Sequence, residues 1–256
     1  MSVPDEVVTP RSLSLRRVLA GAFTLTWRYR ADVIRQAGLP LLMLIAFLLF
    51  WDQLGLGWTS TSLYIRGFVY LLLTSWLAIA VHRMVLLDQP GPSLTPQPQS
   101  LRRLGVFGLV VIGLFVLFIV LKLMILLLLW SVPFSEYVPA GAERSAPAKP
   151  PFWVFLATSS LPFLVIGRLA LLMPRVAIDQ PTYLHAVWRL SMGNGLKMAV
   201  IVGVLPWTLL QFMNLLFRDG ASATEIALLY VASALCVVVE VAALSLAYRE
   251  LSSQSD

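Results

Sequence analysis

The sequence predicts an all-α, polytopic membrane bundle of about six transmembrane helices, with amphipathic surface helices at the N-terminus and between two spans. Three observations predict it. The composition is 59% hydrophobic and 12% charged, with a mean hydropathy of +0.83, whereas a soluble domain carries about 25% charged residues. Six apolar runs recur near the length a helix needs to cross hydrocarbon, about 20 residues. Lys and Arg fall mostly in alternate connections between those runs. No polar stretch is long enough to build a separate soluble domain.

Taken in order, residues 1–11 hold Pro4, Asp5, Glu6 and Pro10 with few apolar anchors and read as a disordered N-terminus. From 12 to 36 the pattern turns helical. Leu15, Val18, Leu19, Ala22, Phe23 and Trp27 follow i, i+3, i+4 spacing, and Arg16, Arg17, Arg28, Arg30 and Arg35 supply the basic remainder. Such a helix either lies in the membrane interface with its arginines at phosphates or packs on the protein's own cytoplasmic face. Charge interrupts its apolar part and no small-residue cleavage site follows, so it does not read as a signal peptide.

The six spans, within a membrane domain of residues 37–249, are expected at Gly38–Leu56, Gly67–Leu87, Leu104–Trp130, Phe152–Met173, Met198–Phe217 and Glu225–Tyr248. Pro162 and Pro206 lie inside spans four and five and predict kinks, which neighbouring helices can cover. Two connections are Pro-rich, 88–100 and 131–151, and read as extended loops. Between spans four and five, Thr182 follows Pro181 as an expected N-cap for a short surface helix reaching about Met192. Gly193-Asn194-Gly195 then breaks it. The two halves share a faint echo, Ala22-Phe23-Thr24 with Gly38-Leu39-Pro40 against Ala186-Val187-Trp188 with Gly203-Val204-Leu205-Pro206. It is too sparse to set against chance. Residues 250–256 form a short tail.

Of the 19 Lys and Arg residues, thirteen fall on one set of connections and four on the other, Arg66, Arg144, Lys149 and Arg218. Arg168 and Lys122 lie within spans. The bias predicts a membrane protein with both ends on the cytoplasmic side. The net charge of +6 therefore belongs beside apolar segments and does not indicate nucleic acid as a partner; membrane lipids and a membrane-protein partner are the expected ones. The single cysteine, Cys236, sits in an apolar run as a small hydrophobe.

Charge inside a span is expensive and is usually paired or functional. At 1.5 Å per residue, Glu240 and Arg168 sit roughly 13 Å and roughly 10 Å from the cytoplasmic ends of their spans, so they form one candidate pair. Asp52 and Lys122, both in the outer third, form a second. Arg168 and Lys122 can instead snorkel. Glu240 cannot reach the surface and is paired, protonated or cavity-lining.

No phosphate-binding Gly-rich loop, dinucleotide fingerprint or nucleophile elbow is present. His82 and His185, both expected on the cytoplasmic side, have no partners at metal-ligand spacing. Asp179, His185 and Ser191 do not make a triad by any spacing argument. No catalytic, cofactor-binding or metal site is expected, so the chain does not read as an enzyme.

The stretch Gly167-Arg-Leu-Ala-Leu-Leu-Met-Pro-Arg-Val-Ala-Ile-Asp-Gln-Pro, followed by Ala186-Val-Trp-Arg-Leu-Ser-Met-Gly-Asn-Gly, resembles a pattern of uncharacterised bacterial six-helix membrane proteins. These include the YciC-like and glycerophosphodiesterase membrane-domain-like proteins. The matching positions are Arg168, Pro174, Ala177, Ile178, Trp188, Gly193 and Asn194, and outside spans four and five only the layout agrees. The resemblance implies a six-helix topology in a bacterial inner membrane and implies no activity. The function expected is a non-catalytic membrane scaffold or accessory subunit, with a translocator of lipid or small amphiphiles as the alternative.

Overall fold

The computed structural model describes residues 12–53, 60–87, 98–130, 152–209 and 222–253. Among the described residues the chain is helical and forms no strand. The long elements are α2 (Arg30–Gln53), α3 (Ser60–Leu87), α4 (Pro98–Trp130) and α5 (Phe152–Leu169). The first element, α1, is Leu15–Arg28. Short helices α6 (Leu172–Ala177) and α7 (Leu184–Leu190) follow α5. Then α8 starts at Gly195–Ala199, passes through a π-helical turn at Val200–Val204 and continues to Leu209. The last, α9, is Ala223–Ser252.

Five stretches among the described residues are long and apolar enough to cross a membrane: Arg30–Trp51, Thr61–Leu87, Ser100–Leu128, Ser160–Ala177 and Thr224–Ser252. A sixth is reached if α7 and α8, bent by 104°, count as one. The expected fifth span is described only as far as Leu209. The N-terminal eleven residues, residues 88–97 and 131–151 of the Pro-rich loops and the last three residues lie outside the described set; residues 98–100, expected in the first loop, instead open α4.

The second and third spans begin earlier than expected, at Ser60 and Pro98, and other departures have a local reason. The helix expected over 12–36 ends at Tyr29, which leaves helical geometry at φ −101°, ψ 26°. Residues from Arg30 onward belong to the first span. Span four ends at Leu169 and re-forms as α6, because Pro174 has no N–H to give Ala170; the Ala170 carbonyl accepts from Met173 instead, at 3.0 Å. Tyr183, not Thr182, occupies the N-cap of α7, and no side chain caps it. The π-helical turn falls just before Pro206, whose missing N–H frees the carbonyl of Val202. The Gly193 break is as expected, with φ 78° at Gly193.

Small residues set the packing. Ala80, Ala242 and Ala243 are fully buried between α3 and α9, together with Leu77, Val81 and Val238. Small side chains let helix backbones approach where hydrocarbon offers no hydrophobic drive between helices. On α1, Val18 and Ala22 are buried against α9, where Leu246 comes within 3.1 Å of a Cβ built on Gly21. By contrast α4 buries Phe107 and then little more; Leu109, Phe115, Leu123 and Leu127 are exposed. A contiguous apolar face of that size needs an apolar solvent or a partner.

Candidate functional site

Several described charges meet where the C-terminal ends of α3 and α9, the N-terminal ends of α1 and α4 and the α6–α7–α8 segment come together. At the centre is Asp179. It sits just past α6 in the left-handed region, φ 61°, a conformation Asp tolerates better than most residues. Its carboxylate accepts two hydrogen bonds from Arg103, from Nε at 2.8 Å and from Nη2 at 2.5 Å. Arg83 Nη1 donates to the same carboxylate at 3.4 Å and to the Ala177 carbonyl at 3.2 Å. Both arginine side chains are largely buried while Asp179 is more than half exposed. The hydrogen bond from Arg103 holds the Asp179 carboxyl below the ordinary carboxylate range, against a partial opposing effect of burial. Alongside, Tyr248 donates to Gln180 Oε1, and Arg249 donates to the Val85 carbonyl at 3.4 Å. Residues far apart in sequence thus tie α3, α4, α9 and the α6–α7 turn together.

A second node is Asn194, fully buried at the start of α8. Its Oδ1 accepts the backbone N–H of Leu13 at 2.8 Å, and its Nδ2 donates to the Met192 carbonyl at 3.3 Å. The neighbouring Ser14 N–H donates to Glu250 Oε1 at 3.2 Å, and Arg17 approaches the same carboxylate at 3.7 Å. The entry to α1 is therefore fastened to α8 and α9. Away from α9, Phe23, Trp27, Arg16 and Arg28 remain exposed. Arg30 lies over the Trp27 ring at 5.6 Å.

The third node is Arg168. Its guanidinium lies 4.7 Å from the centroid of the Trp188 ring. A Cβ on Gly195 would come within 2.6 Å of its Nε, so glycine there makes room for the arginine. Gly167, one residue earlier, meets the backbone of Met198 and Ala199 at 2.8 Å in the same way. The expected Glu240–Arg168 pair does not form. Their depths matched, but Arg168 points towards α7 and α8, and among the described residues no ion pair reaches Glu240. Glu240 is half-buried on α9, within electrostatic reach of Tyr70 and Cys236. Lys122 is on the exposed face of α4, and the Asp52 side chain lies outside the described set.

Spacing alone does not predict two of these contacts. In sequence Asp179 lies near His185 and Ser191, whereas its partners are arginines that close span two and open span three. His82, expected at the interface, is fully buried between α3 and α9. Its Nδ1 lies 2.7 Å from Ser245 Oγ. The hydroxyl hydrogen of Ser245 goes to the Val241 carbonyl at 2.8 Å, so Ser245 accepts and His82 carries its proton on Nδ1. His82 Nε2 is then a buried lone pair without a partner, beside Phe107. A signal did exist: Ser75 and His82, seven residues apart, share one face of α3.

Chemically, the arrangement fastens helices and presents cations. Among the described residues no three His, Cys, Asp or Glu side chains gather to hold a metal. Asp179 accepts from arginines, and Ser191 Oγ donates to the Trp188 carbonyl at 2.9 Å. Compared with known proteins, the chain matches no family model, no curated protein and no solved structure.

Proposed function

We propose that the chain is a multi-pass protein of a bacterial cytoplasmic membrane, with both ends in the cytoplasm, acting as a non-catalytic scaffold or accessory subunit. It needs no cofactor for that role, and its partners are membrane lipids and another membrane protein. The observation that carries this reading is where the charges go. Arg83 and Arg103 end on Asp179, Glu250 ends on the entry to α1, and Arg168 ends on Trp188. Each is spent on the protein's own architecture rather than along a wet path. The result is a rigid body whose α1 and α4 present an arginine–aromatic face and an apolar face.

The test is to extract the protein from membranes with a polymer, without detergent, and identify what co-purifies. A protein partner at constant stoichiometry with bulk-like lipid supports the accessory role; the chain alone with bulk-like lipid contradicts it. One observation favours a translocator as the second reading. Glu240 stays in α9 with no ion pair among the described residues, where an ionisable group is costly unless used. Under that reading, Glu240→Gln abolishes movement of a lipid or amphiphile across vesicles without lowering thermal stability.

A further inference from the structure

Beside the fastened nodes lies a hollow of about 430 Å³, lined by Leu169, Leu184, His185, Trp188, Arg189 and Met192. Its wall is almost wholly apolar, yet the two titratable residues on it are a histidine and an arginine, and among the described residues no carboxylate lines it. Leu184 and Trp188 on α7 and Met192 just after it are exposed. The bend of 104° between α7 and α8 lays α7 across the direction of the neighbouring helix. When α8 points into hydrocarbon, α7 therefore lies along the headgroup layer. The Trp188 wall is braced from within, since the Arg168 guanidinium stacks on its ring and Gly195 leaves the space that guanidinium fills.

We infer that this hollow binds one phospholipid with an anionic headgroup: an acyl chain rests against Leu169, Leu184, Trp188 and Met192, and the phosphate is taken by Arg189 and His185. Charge complementarity selects the headgroup. An arginine gives a phosphate two parallel N–H donors, and no described wall residue carries a negative charge to oppose it. The apolar wall selects a lipid over a free phosphate ion, because an ion in water gains nothing from Leu169 or Met192. Trp188 sits between the two chemistries, as amphipathic aromatics do at membrane interfaces. The inference rests on the chain lying in a membrane and is independent of its role as a scaffold.

The experiment uses the full chain purified in a neutral detergent and titrated with dioleoylphosphatidylglycerol, with dioleoylphosphatidylcholine, and with inorganic phosphate. Native mass spectrometry and thermal melting read the result. The expected outcome is a one-to-one phosphatidylglycerol adduct with a raised melting temperature, and neither with phosphatidylcholine or inorganic phosphate. Arg189→Gln, on the exposed side of α7 and without an ion pair among the described residues, weakens the adduct roughly tenfold, the loss expected for one charge-assisted contact. Lys122→Gln, on the exposed face of α4 and not part of the lining, leaves it unchanged. Equal binding of both lipids, an unaltered adduct in Arg189→Gln, or an equal shift from inorganic phosphate alone would each overturn the site. Extraction of native membranes at alkaline pH separates the two failures: a chain that stays with the membrane but binds no phosphatidylglycerol overturns only the lipid site, and one that is released overturns the membrane reading.

Discussion

Asp179 occupies a backbone conformation that few side chains tolerate and holds two largely buried arginines there. Asn tolerates φ near +60° about as well, so Asp179→Asn keeps the turn and removes only the charge. Because the carboxylate is more than half exposed, solvent screening reduces its worth, and a loss of about 1 kcal/mol is expected in thermal unfolding. The pH dependence follows from the depressed carboxyl. A folded-state value below the unfolded one means the contribution is complete above the ordinary value of 3.8 and disappears as pH falls through the folded value. Melting curves should thus separate wild type from Asp179→Asn at pH 6, and the gap should close as the medium is acidified below pH 4. A gap that persists unchanged at the lowest pH would remove charge as its cause. Single residues were the least legible scale in the sequence. Hydropathy gave the depth of Arg168 and Glu240 but not their direction around the helix axis, and direction decided that Arg168 faces Trp188.

Among elements, α1 and α8 depend on one buried amide. Asn194 Oδ1 is the acceptor for the Leu13 N–H, and both residues are almost fully buried. Asn194→Ala leaves that donor unsatisfied at a cost of about 1–3 kcal/mol, which loosens the mount of α1 rather than the spans. Limited trypsin digestion is expected to cut the variant faster after Arg16, Arg17 and Arg28 while the rest of the chain survives; equal cleavage rates would show that Asn194 is not the fastening. The α5–α8 contact makes a sharper demand. Gly167→Ala would place a carbon 2.8 Å from backbone atoms of Met198 and Ala199, which cannot swing aside, so a loss of about 1–3 kcal/mol is expected. Gly113→Ala on α4 has nothing within 4 Å and serves as the control, with no loss of melting temperature. The Gly193-Asn194-Gly195 break and the apolar spans could be read directly, because left-handed turns and hydrophobic length leave local marks in sequence. The end of α1 at Tyr29 could not, since its amphipathic pattern runs on into the first span without a glycine or proline to mark the bend.

For the whole molecule, the nodes at Asp179, Asn194 and Arg168 gather α1, the ends of α3 and α9, the start of α4 and the α6–α8 segment at one end. That end also holds most of the arginines. The opposite character belongs to α4, whose apolar face is left bare. A polar end rich in arginine beside bare apolar helices is what a membrane with an anionic inner leaflet accommodates. The central claim is therefore one of placement: a multi-pass chain whose arginine end is cytoplasmic. Single-cysteine labelling of intact bacterial cells with a membrane-impermeant maleimide tests it most directly. In a Cys236→Ser background, Ser145→Cys is expected to label from outside, whereas Ser93→Cys and Ser255→Cys label only after the cells are opened. Labelling of Ser93→Cys or Ser255→Cys in sealed cells, with Ser145→Cys protected, would contradict the account.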